Sequence, residues 1–188
     1  MIESNYNSII SNNVYDNCIG IHLISSNNNT KHENKISFNF IPGTRLLNSN
    51  NNLISGNIVD SNGLDLLEYY LVSVIKFEKS SNNILLDDIF SNNSVGISLI
   101  FYSDNNIISG NDVKNKEYGG INIKDLSNNF ASRNIISNNK GYGIYVDDSP
   151  DKKIVKKEWK QYIKENMKKN KKNKNLKNLK TFIETEIE

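Results

Sequence analysis

The chain has 188 residues, of which 37% are hydrophobic, and its formal net charge is +2. No apolar run approaches the roughly 20 residues of a membrane-spanning helix, and the first residues lack the basic and apolar segments of a secretory signal. The single cysteine, Cys18, excludes an internal disulfide.

The charge and the asparagine content both divide the chain near residue 150. Residues 1–150 carry 10 Lys and Arg against 15 Asp and Glu, whereas residues 151–188 carry 13 against 6. Of the 35 asparagines, 30 lie before residue 150. We therefore predict one domain over residues 4–149 and a separate Lys-rich tail over residues 150–188.

A repeated unit fills the first domain. Taking the residue after each Asn-rich pair as the start gives spacings of 21, 23, 31, 23 and 23 residues, with the starts at Ile9, Thr30, Leu53, Ile84, Ile107 and Phe130. Each unit holds three short runs in which apolar residues alternate, separated by Asn, Ser, Gly and Asp. Alternation of period two is typical of strands, and the runs are too short for helices.

Three strands and three corners in about 22 residues predict one turn of a solenoid. Two Asn columns recur in the alignment, and we predict that they form side-chain ladders that support the corners. The first column lies two residues before each start, at Asn7, Asn28, Asn51, Asn82, Asn105 and Asn128. The second lies four residues after each start, at Asn13, Asn34, Asn57, Asp88, Asn111 and Asn134.

Residues six after each start, such as Tyr15, Val59 and Val113, are predicted core residues, as are Ile107, Ile121 and Ile123. The column directly after the starts is also mostly apolar, with members such as Ile10, Ile54 and Ile108. If the starts point inward, this neighbouring column points outward and forms an exposed apolar stripe. Either the corner lets both columns point inward, or something covers that stripe.

The pattern Asn-x-Ile-x-x-x-Asn-x-Val followed by Gly-Ile-x-Ile resembles the repeats of NosD-type and carbohydrate-binding/sugar-hydrolase (CASH-type) proteins. The resemblance covers roughly residues 4–149. It implies an all-β, right-handed parallel β-helix of about six rungs, related to the pectate-lyase-like fold. The family includes surface proteins, polysaccharide-active enzymes and an accessory protein of copper-enzyme maturation, so it implies no single function.

Two segments depart from the repeat. The third unit carries eight extra residues near 64–71, which we expect to project as a loop that packs on the flank or contacts a partner. The tail has apolar residues at helical spacing over about 151–169 and a weaker second pattern near Leu176–Ile187. We predict a helical extension that caps the end of the solenoid; a basic arm for nucleic acid or an anionic surface stays an alternative.

The sequence offers no clear reaction centre. Two histidines and one cysteine without ligand spacing predict no metal and no cofactor. The paired carboxylates Asp87-Asp88 and Asp147-Asp148 are expected to face opposite ways on their strands. No catalytic residue is therefore predicted, and an enzyme is the less favoured hypothesis.

The candidate ligand-binding residues are the outward column of the third strand, namely His22, Arg45, Lys76, Ser98, Asn122 and Tyr145. This flat polar strip suits weak glycan binding, with Tyr145 as a stacking platform. We predict a non-catalytic module that binds or displays, with a glycan or another protein as partner. The alternative is a carbohydrate-active enzyme or a fragment of one. The missing signal leaves the compartment open, with the cell surface expected if the chain is part of a longer protein.

Overall fold

The computed structural model describes residues 1–63, 73–124 and 128–147, and within them the chain forms eighteen strands and no helix. The chain coils through three strands per turn, and six turns stack as rungs 1 to 6. The predicted parallel β-solenoid of about six rungs is confirmed, and it is of the right-handed type.

Each rung contributes one strand to each of three parallel, six-stranded sheets. Sheet 1 contains β1 Ser8–Ile10, β4 Thr30–His32, β7 Leu53–Ser55, β10 Ile84–Leu86, β13 Ile107–Ser109 and β16 Phe130–Ser132. Sheet 2 contains β2 Asn13–Tyr15, β5 Lys35–Ser37, β8 Ile58–Asp60, β11 Ile89–Ser91, β14 Asp112–Lys114 and β17 Ile135–Ser137. Sheet 3 contains β3 Ile21–Ile24, β6 Thr44–Leu47, β9 Ser73–Glu78, β12 Val95–Ile100, β15 Ile121–Lys124 and β18 Ile144–Asp147.

The core is a stack of inward columns, because successive residues of a strand point to opposite faces. Sheets 1 and 2 each contribute the middle residue of every strand, such as Ile54 and Val59 in rung 3. Sheet 3 contributes two residues per strand, such as Ile97 and Leu99 in rung 4. These side chains are at most 1% exposed. Burial of such apolar columns is the main stabilising contribution in a chain of low hydrophobic content.

The start column points outward, so the interpretation of Ile107 as a core residue is wrong. Ile107 is 40% exposed, whereas Ile108 is fully buried. The column directly after the starts faces the core, and this holds even at Lys31. The charged head group of Lys31 made this column look less apolar in the sequence than a core column usually is. The exposed apolar stripe therefore exists, but it is formed by Leu53, Ile84, Ile107 and Phe130.

The alignment of the first unit was wrong by one residue. Ser8 pairs with Thr30, so the first spacing is 22 residues and Ser8 replaces Ile9 as the start. A one-residue shift moves every side chain to the other face. In rung 1, Ile9 and Val14 therefore pack against the core, while Tyr15 is 55% exposed.

The paired asparagines before sheet 1 divide two tasks between them. The first residue of each pair, such as Asn51 or Asn105, adopts a positive φ of 56–57° at the corner and is exposed. Asn tolerates this left-handed conformation better than most residues. The second residue is the ladder member. The predicted member Asn7 is therefore confirmed, and the other five members are corrected by one position to Asn29, Asn52, Asn83, Asn106 and Asn129.

The ladders satisfy backbone groups that the corners leave unpaired. The backbone N–H and the side-chain amide of Asn52 both donate to Oδ1 of Asn83, at 2.9 and 3.0 Å. The second predicted ladder is confirmed between Asn34 and Asn134, and Asn12 rather than Asn13 begins it. A third ladder, unforeseen from the sequence, contains Asn17, Asn39, Asn62 and Asn93 before sheet 3. In rung 5 Lys116 takes the place of the asparagine, and its backbone N–H donates to Oδ1 of Asn139.

The insertion near 64–71 and the predicted tail helices lie outside the described residues. The boundary at residue 150 likewise stays a prediction. In the part of the chain that the structure describes, no helix has the length and apolar character needed to cross a membrane.

Candidate functional site

The candidate residues form a single outward column on sheet 3. Strand register aligns His22 with Arg45, Arg45 with Lys76, and so on through Ser98 and Asn122 to Tyr145. Each rung supplies one side chain, and adjacent side chains are spaced by roughly the 4.8 Å between neighbouring strands. The structure thus brings together the whole predicted set, which we call the sheet 3 column.

The N-terminal half of the column is cationic and is held by one carboxylate. Oε2 of Glu78 accepts a hydrogen bond from Nη2 of Arg45 at 2.9 Å and lies 3.3 Å from Nζ of Lys76. Burial favours a higher pKa for Glu78, but the hydrogen bonds and charges of Arg45 and Lys76 outweigh it and hold that pKa below its usual value. Sequence reasoning missed Glu78, although its position two residues after Lys76 on one strand places it on the same face.

His22 is a neutral member of this half at pH 7. Burial lowers the pKa of its imidazole, and the charges of Arg45 and of the N-terminal ammonium lower it further. The ammonium of Met1 also donates a hydrogen bond to the carbonyl of His22 at 2.7 Å. A neutral imidazole can both donate and accept a hydrogen bond.

The C-terminal half is aromatic and amide-rich. The ring centroids of Tyr142 and Tyr145 lie 5.3 Å apart with an interplanar angle of 38°. Tyr142 is 66% exposed, and Asn122 precedes Tyr145 in the column. Tyr142 was not predicted; its place three residues before Tyr145, at the corner leading into β18, is the signal that would have indicated it.

Three polar atoms of the column have no hydrogen-bond partner among the described residues, although they are shielded from solvent. They are Nε2 of His22, Nε of Arg45 and Oδ1 of Asn122. Buried polar atoms are normally paired.

The carboxylates of the described residues do not converge on this column in an acid–base pair. Asp87 is exposed at a corner while Asp88 is buried in a ladder, so this pair faces opposite ways as predicted. Asp147 lies 3.8 Å from Nζ of Lys124 on the neighbouring outward column. Asp148 lies outside the described residues.

Comparison with known proteins identifies one family. A family model described as "Periplasmic copper-binding protein (NosD)" matches residues 43–166, which is 124 of the 188 residues. No curated protein and no solved structure matches the chain.

The described residues do not fit a copper centre. His22 belongs to sheet 3 of rung 1, whereas His32 belongs to sheet 1 of rung 2, and Nδ1 of His32 is already 3.0 Å from Oγ of Ser55. Cys18 is exposed at a corner. Within the described ranges, no three His, Cys, Asp or Glu residues are grouped so that they could hold a metal ion.

Proposed function

The chain belongs to the NosD family, and from this premise we propose that it is a non-catalytic β-helix module of the periplasm or cell surface that binds glycans weakly through the sheet 3 column. The observation that carries the proposal is the unbroken column from Arg45 to Tyr145. It places cations, an amide and an aromatic ring in order on one flat face, with the buried Ser98 between Lys76 and Asn122.

Each part of the column has a counterpart in a sugar chain. The apolar face of a pyranose packs on an aromatic ring such as Tyr145, and Tyr142 beside it widens the platform. Sugar hydroxyls accept hydrogen bonds from the partly exposed guanidinium group of Arg45. The strip is flat, so it buries little of any ligand, and the expected affinity is correspondingly weak.

The non-catalytic part of the proposal is supported by the state of the nearby carboxylates. Glycoside hydrolysis requires two carboxyl groups about 5–9.5 Å apart across the bond that is cleaved. On sheet 3, Glu78 is engaged by Arg45 and Lys76, and Asp147 lies beside Lys124. The pKa of Glu78 is held below its usual value, which is the opposite of the raised pKa that a general acid needs.

Titration of the full chain with a panel of neutral and uronic oligosaccharides, followed by NMR or calorimetry, tests the proposal. Tyr145→Ala should weaken binding at least tenfold, because it removes the stacking platform. Tyr6→Ala is the matched control, since Tyr6 is 82% exposed on a different corner and should leave binding unchanged.

Binding unaffected by Tyr145→Ala and by Asn122→Ala would contradict the site. Failure of every oligosaccharide to bind would contradict the glycan proposal. Cleavage of an oligosaccharide during the titration would overturn the non-catalytic part and favour the carbohydrate-active enzyme.

A further inference from the structure

The outer face of sheet 1 carries no Asp, Glu, Lys or Arg in any of its six strands. It consists of the first and third residues of each strand, which we call the sheet 1 face. The first positions are Ser8, Thr30, Leu53, Ile84, Ile107 and Phe130, and the third positions are Ile10, His32, Ser55, Leu86, Ser109 and Ser132. The outer faces of sheets 2 and 3 both carry charged residues, such as Lys35, Asp112, Arg45 and Lys76.

The sheet 1 face has the relief of a ridge beside a groove. In rungs 3, 5 and 6 the first position holds a large apolar residue, namely Leu53, Ile107 or Phe130, and each is 36–40% exposed. The third position of these rungs is serine. Because strand pairing keeps both positions in register, the large residues form a ridge, and the serines form a groove parallel to it that Leu86 interrupts in rung 4.

The groove can be covered without leaving its hydroxyls unpaired. The hydroxyls of Ser109 and Ser132 lie 3.1 Å apart and hydrogen-bond to each other. Oγ of Ser55 lies 3.0 Å from Nδ1 of His32. An apolar ridge placed over these serines would therefore cost little in lost hydrogen bonds.

We propose that the sheet 1 face binds a second copy of this chain, with the two solenoids side by side and a two-fold axis running parallel to the solenoid axis. This rotation places the ridge of one copy opposite the groove of the second copy, and it keeps every residue at the level of its own rung. Leu53 of one copy then packs over Ser55 of the second, Ile107 over Ser109 and Phe130 over Ser132. An interface of this kind is isologous, so the same contacts occur twice.

The charges at the rim suit the same arrangement. The corner after sheet 1 carries Glu33, Asp87 and Arg133, whereas the corner before it carries uncharged asparagines at the matching rungs. The two-fold axis places each charged corner opposite the asparagine corner of the second copy. At these three rungs the facing corners do not place like charges together, and the asparagine amides can pair with the charged groups.

The size of the face makes the dimer a weak one. Six rungs spaced by about 4.8 Å and strands of three residues give a flat area of roughly 29 by 10 Å per copy. Stable interfaces bury about 800 Å² per partner. Side-chain relief makes the buried area larger than this flat area, but it stays below that value. The association should therefore be reversible and visible only at high protein concentration.

Sedimentation of the full chain over a range from micromolar to millimolar concentration tests the interface. We expect a concentration-dependent dimer that Ile107→Lys weakens at least tenfold, because it places two charges in the apolar interface. Ile89→Lys is the matched control, since Ile89 is 39% exposed on sheet 2 and should leave association unchanged. A chain that stays monomeric throughout, or an Ile107→Lys variant that associates like the wild type, would overturn the proposal.

Cross-linking tests the orientation. Ile107→Cys and Ser109→Cys are introduced separately in a Cys18→Ser background, because Cys18 is exposed. Ridge-in-groove packing predicts that a mixture of the two variants forms a disulfide-linked dimer under mild oxidation and that neither variant does so alone. Efficient linkage of either variant to itself, or no linkage in the mixture, would contradict the two-fold arrangement.

Discussion

Asp88 occupies a ladder position at which all other members are asparagine. Its Oδ1 accepts hydrogen bonds from the backbone and side-chain amides of Asn57, at 2.6 and 2.7 Å. The side-chain NH₂ of Asn57 itself donates to the carbonyls of Ser55 and Lys31. At Asp88 the corresponding atom is Oδ2, which is buried and has no partner in the described structure. A ladder position thus requires a donor, and a carboxyl group can provide one only when it is protonated.

Burial favours the same protonated form. It raises the pKa of Asp88 from 3.8 to about 6, and the attraction of Lys31 and the hydrogen bonds from Asn57 offset it only in part. Because the folded-state pKa is raised, the stabilising contribution is present below the unfolded pKa and is lost as pH rises through the folded pKa. The difference of about two units corresponds to a loss of about 3 kcal/mol in the free energy of unfolding between about pH 4 and pH 8.

Asp88→Asn should therefore stabilise the protein, and the gain should increase with pH. The amide restores the missing donor and replaces the titrating carboxyl group. We therefore expect the free energy of unfolding to rise by about 1–3 kcal/mol at pH 9 and by little at pH 4. The higher pH is chosen because burial lowers the pKa of Lys31 to about 8, so that this lysine is largely neutral there. Urea unfolding at both pH values measures the difference.

Asp87→Asn is the control for this prediction. Asp87 is the exposed neighbour, and its charge makes the smallest contribution to the raised pKa of Asp88, so its substitution should give a much smaller gain between pH 4 and pH 9. If Asp88→Asn destabilises the protein at pH 9, the carboxylate is favoured by the ladder and the assignment of a protonated Asp88 is wrong.

At the scale of the strands, the entry into sheet 3 depends on close contact between rungs. A Cβ atom at Gly120 would lie 2.5 Å from the carbonyl oxygen of Gly143 and 2.7 Å from Cγ2 of Ile136. The carbonyl belongs to the next rung and cannot move without separating the strands. Gly119 meets only the carbonyl oxygen of Tyr142, at 3.4 Å. An added Cβ atom would therefore clash at Gly120 but would fit at Gly119.

Gly120→Ala should destabilise the protein by about 1–3 kcal/mol, because overpacking forces the backbone to shift. Gly119→Ala should be neutral or slightly stabilising, since it restricts the unfolded chain without a clash. Thermal unfolding of the two variants beside the wild type provides the comparison. Equal losses in both variants would mean that glycine is needed there for its backbone conformation and not for space.

The sequence predicted the strands and corners well but assigned some columns to the wrong face. Adjacent asparagines such as Asn105 and Asn106 have the same chemistry, so composition alone cannot tell the left-handed corner residue from the buried ladder residue. Lys31 is buried in the core and Ile107 lies on the surface. The polarity of each of these residues therefore indicated the wrong face for its column. The register of rung 1 was ambiguous because its run Ser8–Ile10 fits either alignment, and only strand pairing resolves it.

At the scale of the whole molecule, the candidate site could be predicted because it follows directly from the repeat. Once the third strand of each unit is aligned, the outward position is fixed by strand alternation, so Arg45, Asn122 and Tyr145 are found together. The ion pairs of Glu78 and the buried unpaired atoms depend on side-chain conformation, which the repeat does not specify. The ridge and groove of the sheet 1 face were missed for a simpler reason, since the ridge had been assigned to the core.

Stability should be highest in the middle of the solenoid. In rungs 3 to 5 the inward residues, such as Val59, Phe90 and Val113, are fully buried between neighbouring rungs. In rungs 1 and 6 their counterparts Val14 and Ile136 are only partly buried. In a repeat protein each rung gains stability mainly from its neighbours, and an end rung has a neighbour on one side only. Local opening should therefore begin at the ends.

Hydrogen exchange should show this gradient along the chain. We expect the backbone amides of β8, β11 and β14 to exchange most slowly and those of β2 and β17 at least tenfold faster, because opening an end rung exposes less apolar surface. Phe90→Ala should remove about 3–5 kcal/mol of stability and accelerate exchange throughout the solenoid, whereas Val14→Ala should affect rung 1 alone. If β17 is protected as strongly as β11, the last rung is covered by another part of the chain or by a partner. In that case deletion of residues 151–188 should make β17 exchange rapidly if the tail supplies the cover, and should leave its protection unchanged if a partner does.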